Sequence, residues 1–324
     1  MAKNIKIALF LVGILIFIIL ISKIPLKDSW GAVTRANLLI TAIGAFFYII
    51  VISLRSLKWL LLTKEIKPNV KYKEIAPIYL VNSLMGNITP FKSGELTSVF
   101  LFKKYLKMSK MQGLAILIFD RFFEIIIFSL ILIASFLYII THEIKDGAIL
   151  VSFQKIFLIA TLLIVVLMII IFFKKPVIKM FNFFEFIKNN STGKKIFVFL
   201  ENKIDAFYSS FSLFKNKKIL FLMFLLTSLA WLSEIISFYL VFTSVYNAPF
   251  LQITSAQIIS LGASLIAFIP AGVGISELST VFIMGLFGHP SSLVFGGTIL
   301  SRIILTGILF GSGLIGLTLV KEKE

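Results

Sequence analysis

The chain has 324 residues, 59% of them hydrophobic, with a mean hydropathy of +1.03. That is well above the roughly 45–50% apolar content of soluble domains and excludes an ordinary globular fold. The net charge of +17 lies between apolar runs, a membrane-topology signal rather than a nucleic-acid footprint; the absence of cysteine excludes a disulfide framework, a thiolate nucleophile and a Cys-ligated metal.

A bilayer crossing needs about 20 apolar residues. In chain order, runs of that kind predict full spans at 7–24, 38–62, 113–140, 149–173, 218–246 and 292–320. The first follows a short basic lead, Lys3 and Lys6. Ile24-Pro25-Leu26 stands where a signal peptide would carry a small-x-small cleavage site, so the run reads as a retained span. Lys58, Lys64, Lys67, Lys71 and Lys73 follow the second span, and ten lysines lie from Lys174 to Lys218. The 141–148 connection carries only Lys145 against Glu143 and Asp146, and 247–253 carries no charge. The positive-inside rule then places both termini in the cytoplasm of a cell-membrane protein, with Lys23, Lys27 and Arg35 of residues 23–37 as the exception. In the 174–217 connection, Ile196, Leu200, Ile204, Phe207 and Phe211 recur at helical spacing with Lys195 and Lys203 among them. This predicts a basic amphipathic helix on the anionic inner leaflet.

Two segments break the pattern. Residues 75–90 are apolar but interrupted by Asn82, Gly86, Asn87 and Thr89, and they stop at Pro90; residues 95–107 are short and end in Lys103, Lys104 and Lys107. At about 1.5 Å per residue the arms reach roughly 24 and 20 Å, short of a ~30 Å hydrocarbon core. They predict a re-entrant helical hairpin, broken at Pro90 and Gly94. Residues 254–270 and 276–287 have the same design, broken through Pro270, Gly272 and Gly274. Three full spans separate the hairpins, so they enter from opposite faces. The expected fold is an all-α polytopic membrane protein of about six spans plus two re-entrant hairpins. Halves 1–147 and 148–324 form an inverted-topology repeat, a common transporter architecture with substrate held at the midplane.

Both hairpins carry one polar pattern. Ser83-Leu84, Pro90, Glu95-Leu96-Thr97-Ser98-Val99-Phe100 and Arg121 are echoed by Ser264-Leu265, Pro270, Glu277-Leu278-Ser279-Thr280-Val281-Phe282 and Arg302, with 38 residues from Ser to Arg both times. An ionisable side chain at bilayer depth costs about 2.5–3.5 kcal/mol, which makes it a functional candidate by default. Ser93 and Ser276 are placed to cap the second arms, whose free N–H groups and positive dipole ends would form anion sites near the membrane centre. Arg121 lies eight residues into its predicted span and Arg302 ten, so they approach the midplane from opposite faces. Two helix N-termini and two arginines suit a phosphate, which Arg grips bidentately. Glu95, Glu277, Asp120, Glu124 and Glu234 either pair with Arg121, Arg302 and Arg55 in a neutral network, or exchange protons and compete with substrate for Arg. Gly193-Lys194-Lys195 lacks the rest of a phosphate-binding loop, so no nucleotide engine or other cofactor is expected. His142 and His289 are too far apart in sequence to argue for a metal.

The Pro–Gly–Glu-Leu motif, the Asp120-Arg121 span, Pro270-Ala271-Gly272-Val273-Gly274-Ile275-Ser276-Glu277 and the late Arg302 resemble the lysylphosphatidylglycerol synthase transmembrane family over nearly the whole chain. In the multiple peptide resistance factor, a domain of this type is credited with moving aminoacylated phosphatidylglycerol between leaflets, and a soluble aminoacyltransferase domain follows it. This chain ends at Lys321-Glu322-Lys323-Glu324, so the resemblance implies the translocating part and not an enzyme. It carries over Pro90, Gly94, Glu95, Asp120 and Arg121 in the first block, and Pro270, Gly272, Gly274, Glu277 and Arg302 in the second. Phe91-Lys92-Ser93 departs from the family's glycine-richer loop and makes the hairpins unequal.

The expected function is flippase-like translocation of a phosphate-bearing headgroup, with an anionic phospholipid or a lipid-linked phosphate as partner and no nucleic acid. The alternatives are a membrane enzyme acting on lipid-linked sugars, an accessory partner of an envelope-synthesis enzyme, and a small-anion transporter.

Overall fold

The structure, a computed structural model, describes residues 26–142, 216–266 and 272–321, with Val151, Lys155, Leu158 and Leu162 between them. The predicted span 7–24, all of the predicted span 149–173 but those four residues, almost all of the amphipathic segment 174–217, and Pro270 lie outside the described residues.

Among the described residues the fold is helical throughout. In chain order the helices are α1 (Leu26–Val33), α2 (Leu38–Ile66), α3 (Tyr72–Ile88), α4 (Thr97–Leu106), α5 (Lys110–His142), α6 (Lys217–Thr243), α7 (Phe250–Ile266), α8 (Ile275–Leu286) and α9 (Ser291–Lys321), with a 3₁₀ segment at Pro90–Leu96 between α3 and α4. Four of them, α2, α5, α6 and α9, are 27 to 33 residues long and apolar enough to cross a membrane. They bear out the spans read at 38–62, 113–140, 218–246 and 292–320. Their outward residues are apolar, as a hydrocarbon-facing surface requires: Leu38, Leu39 and Phe221 are largely exposed. Helix α1 falls in the stretch read as a plain connection; it packs on α9, where Gly296 meets the Ser29 carbonyl.

Asparagine starts two of the long helices in the same way. The Asn37 side chain accepts from the amides of Leu39 and Ile40, and the Asn216 side chain from that of Lys218. Such caps satisfy donors that the first helical turn leaves free.

Helices α2 and α6 form the central antiparallel pair. Thr41 near the start of α2 bonds to Ser244 just past the end of α6 at 2.9 Å, and Ser237 donates to the Gly44 carbonyl at 2.7 Å. Around this pair the short helices exchange partners. Arms α3 and α4 fold on each other, as do α7 and α8; the second arms α4 and α8 pack on the long helices that follow them, α5 and α9. The first arms cross over: α3 lies on α9, and α7 lies on α5.

The α3–α9 crossing is close because α9 supplies glycine there. A Cβ on Gly313 would fall 2.5 Å from Leu84 Cβ, and one on Gly316 would fall 2.7 Å from Leu80 Cβ and 3.1 Å from the Pro77 carbonyl. Gly296, Gly297, Gly313 and Gly316 of α9 all meet neighbouring elements closely, whereas Gly307 and Gly311 face open space. Gly316→Val therefore destabilises the protein by about 1–3 kcal/mol through overpacking, whereas Gly311→Ala leaves stability unchanged or slightly raised. Thermal unfolding of both variants in one detergent checks the contrast.

Candidate functional site

The first hairpin delivers a carboxylate to an arginine by close backbone packing. After α3 ends at Ile88, the chain takes one extended residue, Thr89, and enters the 3₁₀ segment that lasts to Leu96. The Gly94 amide donates to Thr89 Oγ1 at 2.6 Å, and a Cβ at Gly94 would sit 2.2 Å from the Met85 carbonyl oxygen. No other residue fits. One step on, Glu95 passes α3 at Gly86, where a Cβ would fall 2.8 Å from Glu95 Cγ. Glu95 Oε2 then lies 3.3 Å from Arg121 Nε on α5.

The second hairpin reaches the same result by a different turn. Gly272 and Gly274 have φ values of 63° and 91°, left-handed conformations that favour glycine. Gly274 is the N-cap of α8, and its amide donates to Glu277 Oε2 at 2.7 Å. The other oxygen, Oε1, lies 3.0 Å from Arg302 Nε on α9.

Neither predicted serine cap forms. Ser93 is exposed inside the 3₁₀ segment, which delays the start of α4 to Thr97 and leaves Leu96 at the cap position. Ser276 is buried in the first turn of α8, where its carbonyl accepts from Thr280 Oγ1 at 2.8 Å. The helical starts are thus set by a 3₁₀ turn and by Gly274, which sequence spacing alone does not distinguish from a serine cap.

The arginines lie at matching positions along their helices. Arg121 and Arg302 are each eleven residues beyond the first residue of their helices, Lys110 and Ser291. This replaces the eight and ten expected from hydropathy, because α5 starts earlier than the apolar run does. Eleven residues are about 17 Å along the helix, roughly half the thickness of a ~30 Å hydrocarbon core.

From Arg121 a line of alternating charges runs inward. Arg121 Nη2 lies 3.1 Å from Asp120 Oδ2, and Asp120 Oδ1 lies 3.0 Å from Lys58 Nζ on α2. Lys58 also pairs with Glu124. Glu124 reaches Arg55 at 3.4 Å, and Arg55 reaches Glu234 on α6 at 2.7 Å. Lys58 is completely buried and Asp120 is 1% exposed. The reading of Lys58 as one of the cytoplasmic lysines after the second span is therefore wrong. Helix α2 runs on to Ile66, and Lys58 lies inside it, one turn from Arg55. That i, i+3 pairing of cations inside an apolar run was the available signal.

Asn82 is a second residue that sequence reasoning passed over. It is 1% exposed, and both polar atoms of its carboxamide lack a hydrogen-bond partner. It shares a face of α3 with Tyr79 and Gly86, and Gly86 abuts Glu95. Arg121 Nε and Asp120 Oδ1 are at ion-pair distance from their partners but are not aligned as hydrogen bonds. The site around Arg121 thus holds polar capacity that the protein does not use. Lys92, in the stretch that departs from the family pattern, sits at φ 54° with its side chain exposed, within electrostatic reach of Arg121 and Glu95. It adds a cation that the second hairpin does not match. Tyr48 on α2, within reach of Arg55, Glu234 and Arg302, joins the neighbourhoods of the two hairpins. Among the described residues no three His, Cys, Asp or Glu side chains group as a metal site.

Removing one partner of a buried ion pair leaves an uncompensated charge and costs about 3–5 kcal/mol, whereas removing both costs far less. Arg302→Gln, which strands the buried Glu277, is expected to lower the melting temperature sharply. The Glu277→Gln/Arg302→Gln double variant recovers most of the loss. Equal melting temperatures for the single and double variants would show that the pair is not coupled.

Residues 5–313 match the family described as the lysylphosphatidylglycerol synthase TM region. A UPF0104 membrane protein of Pyrococcus horikoshii is similar to this chain, with 24% identity over 309 residues that cover 92% of each sequence.

Proposed function

The chain belongs to the lysylphosphatidylglycerol synthase transmembrane-region family of integral membrane proteins, and from that premise and the geometry above we propose that it moves a phosphate-bearing lipid headgroup between leaflets. The observation that carries this reading is the repeated Glu–Arg pair, each arginine about 17 Å into its helix. Arginine binds phosphate and carboxylate with the same planar fork, so a headgroup phosphate competes with Glu95 for Arg121 and with Glu277 for Arg302. Glu95 and Glu277 hold the arginines in place when no headgroup is bound. Lys92 adds a cation to the first hairpin, while Asp120 adds a second carboxylate that an incoming anion must displace from Arg121. The lipid chains stay in the hydrocarbon while the headgroup passes the pairs, and the protein makes or breaks no covalent bond.

An inverted-topology repeat fits this reading. The antiparallel packing of α2 on α6 and the exchange of first arms between α5 and α9 are what a two-fold relation between the halves would produce. Helices α3, α4, α7 and α8 are 17, 10, 17 and 12 residues long, at most about 26 Å, so re-entry explains them better than crossing does. On this arrangement both termini lie on the cytoplasmic side of the cell membrane, and anionic phospholipid or a lipid-linked phosphate is the substrate.

Two experiments test the proposal. The neutral variant Glu95→Gln/Arg121→Gln/Glu277→Gln/Arg302→Gln, which strands neither pair, is expected to lose transfer of chain-labelled phosphatidylglycerol across phosphatidylcholine vesicles, read by dithionite quenching. Undiminished transfer by the folded variant removes the site assignment. The cysteine-free background also allows single-cysteine labelling. Gly94 cannot accept a side chain, so Ser93→Cys and Val273→Cys, both exposed positions, are the probes. They are expected to label from opposite faces, and labelling from one face contradicts the inverted hairpins.

A further inference from the structure

The buried line Arg121–Asp120–Lys58–Glu124 is more than the headgroup site requires. Binding a phosphate calls for Arg121; it does not call for a lysine with no exposed surface behind it. We infer that Asp120, held by Lys58, is the proton-carrying group that couples headgroup movement to a proton gradient. The inference rests on the translocation reading above and goes beyond it by naming the co-transported ion and its carrier.

Asp120 uses its two oxygens differently. Oδ2 faces Arg121 on the headgroup side, and Oδ1 faces Lys58 on the buried side. Lys58 is held from its other side by Glu124, which Arg55 also reaches. Asp120 therefore bridges the arginine that a phosphate would take and an ammonium that no substrate can reach. The charged or titratable groups around it are few. They are Lys58 and Arg55 from α2, Tyr79 from α3, Glu95 and Lys92 from the break, Arg121 and Glu124 from its own helix, and Glu234 from α6. Helix α7, which packs on α5, has no charged residue, and those of α4 are Lys103 and Lys104 in its last turn.

When a phosphate draws Arg121 onto itself, Asp120 keeps one cation and loses the other, and the cluster gains at least one negative charge in a low-dielectric setting. Placing a charge there without a partner is costly. A proton from the entry side relieves the cost by forming one O–H bond at Oδ2, the oxygen that Arg121 has vacated. The proton comes from hydronium on the entry side, whose O–H bond breaks to leave water as the carboxyl O–H forms. Lys58 stays protonated on Oδ1 and keeps the carboxyl facing the site, so it is a positioning residue. When the headgroup leaves on the far side, Arg121 returns to Oδ2, the O–H bond breaks and the proton is released there. One anionic headgroup and one proton cross together.

The test uses the full-length protein in phosphatidylcholine vesicles that contain chain-labelled phosphatidylglycerol and trapped pyranine, with a pH step imposed across the membrane. At one proton per singly charged headgroup, the probe should accumulate in the leaflet facing the alkaline compartment by about tenfold per pH unit at steady state. Pyranine should report proton entry in step with probe entry. Asp120→Asn, which keeps the shape but cannot take a proton, is expected to transfer the probe more slowly and to an even distribution whatever the gradient. Asp120→Glu should keep the gradient response. Wild-type transfer that ignores the gradient and moves no protons overturns the coupling while leaving translocation standing. A gradient response that survives Asp120→Asn overturns the assignment to Asp120, as does loss of the response in an active Asp120→Glu variant. If Asp120→Asn proves inactive, the pyranine signal of the wild type and the Asp120→Glu variant decide the matter. Absence of any transfer by the wild type fails the translocation reading itself.

Discussion

The structure depends on one constraint: a charge in the middle of a hydrocarbon layer must have a partner. The Glu95–Arg121 and Glu277–Arg302 pairs answer it within each hairpin unit, since in both cases the carboxylate comes from the hairpin and the arginine from the long helix that follows. The pairing explains why the hairpins dock where they do. A shift of either hairpin by one helical turn, about 5.4 Å, would strand both partners. Buried ion pairs add little net stability over well-packed apolar residues, but separating one is costly. Such pairs specify position rather than supply stability.

The backbone around each pair is shaped to bring the carboxylate in. In the first hairpin the Gly94 amide packs under Met85 and Thr89, and Gly86 leaves room for the Glu95 side chain. In the second, the left-handed turn at Gly272 and Gly274 presents an amide to one oxygen of Glu277 and frees the other for Arg302. The two solutions share no local geometry. What they share is the result: an arginine the same eleven residues into its helix, held by a carboxylate that a competing anion could displace.

Much of this was legible in the sequence because Ser83 and Arg121 stand the same 38 residues apart as Ser264 and Arg302, with a Pro and a Glu between each, and because hydropathy separates 20-residue spans from 10- to 17-residue arms. The neutral-network reading expected these carboxylates to pair with the three arginines without assigning partners, and the structure pairs Glu95 and Asp120 with Arg121, Glu277 with Arg302, and Glu124 and Glu234 with Arg55. Three features were not legible. Lys58 was misread among its neighbouring lysines, since only its i, i+3 spacing from Arg55 showed that the helix continues past it for two more turns. The caps were misplaced because Ser93 and Ser276 have cap chemistry without cap backbone. Asn82 looked like a mere interruption of hydropathy, because burial of both of its amide atoms follows from tertiary packing around α3 and not from any local pattern.

The two halves also differ in a way that bears on mechanism. Asn37 and Asn216 cap equivalent helix starts, and Arg55 and Glu234 are separated by the same 179 residues. On the repeat reading, a residue and its equivalent on two antiparallel helices meet where the symmetry axis crosses them, so the Arg55–Glu234 pair marks that axis with opposite charges. At corresponding separations, Lys58 and Asp120 of the first half face Ser237 and Ser301 of the second, both fully buried and both bonded to backbone carbonyls. Glu124 corresponds to Leu305. The first half thus holds a buried charge relay, and the second holds neutral hydroxyls in its place. In a rocking transporter the halves exchange roles as the cavity opens to each side. On the proton-coupled proposal, the charged relay of the first half is where proton and anion would travel together, and the neutral second half supplies no second carrier, which limits the coupling to one proton per headgroup.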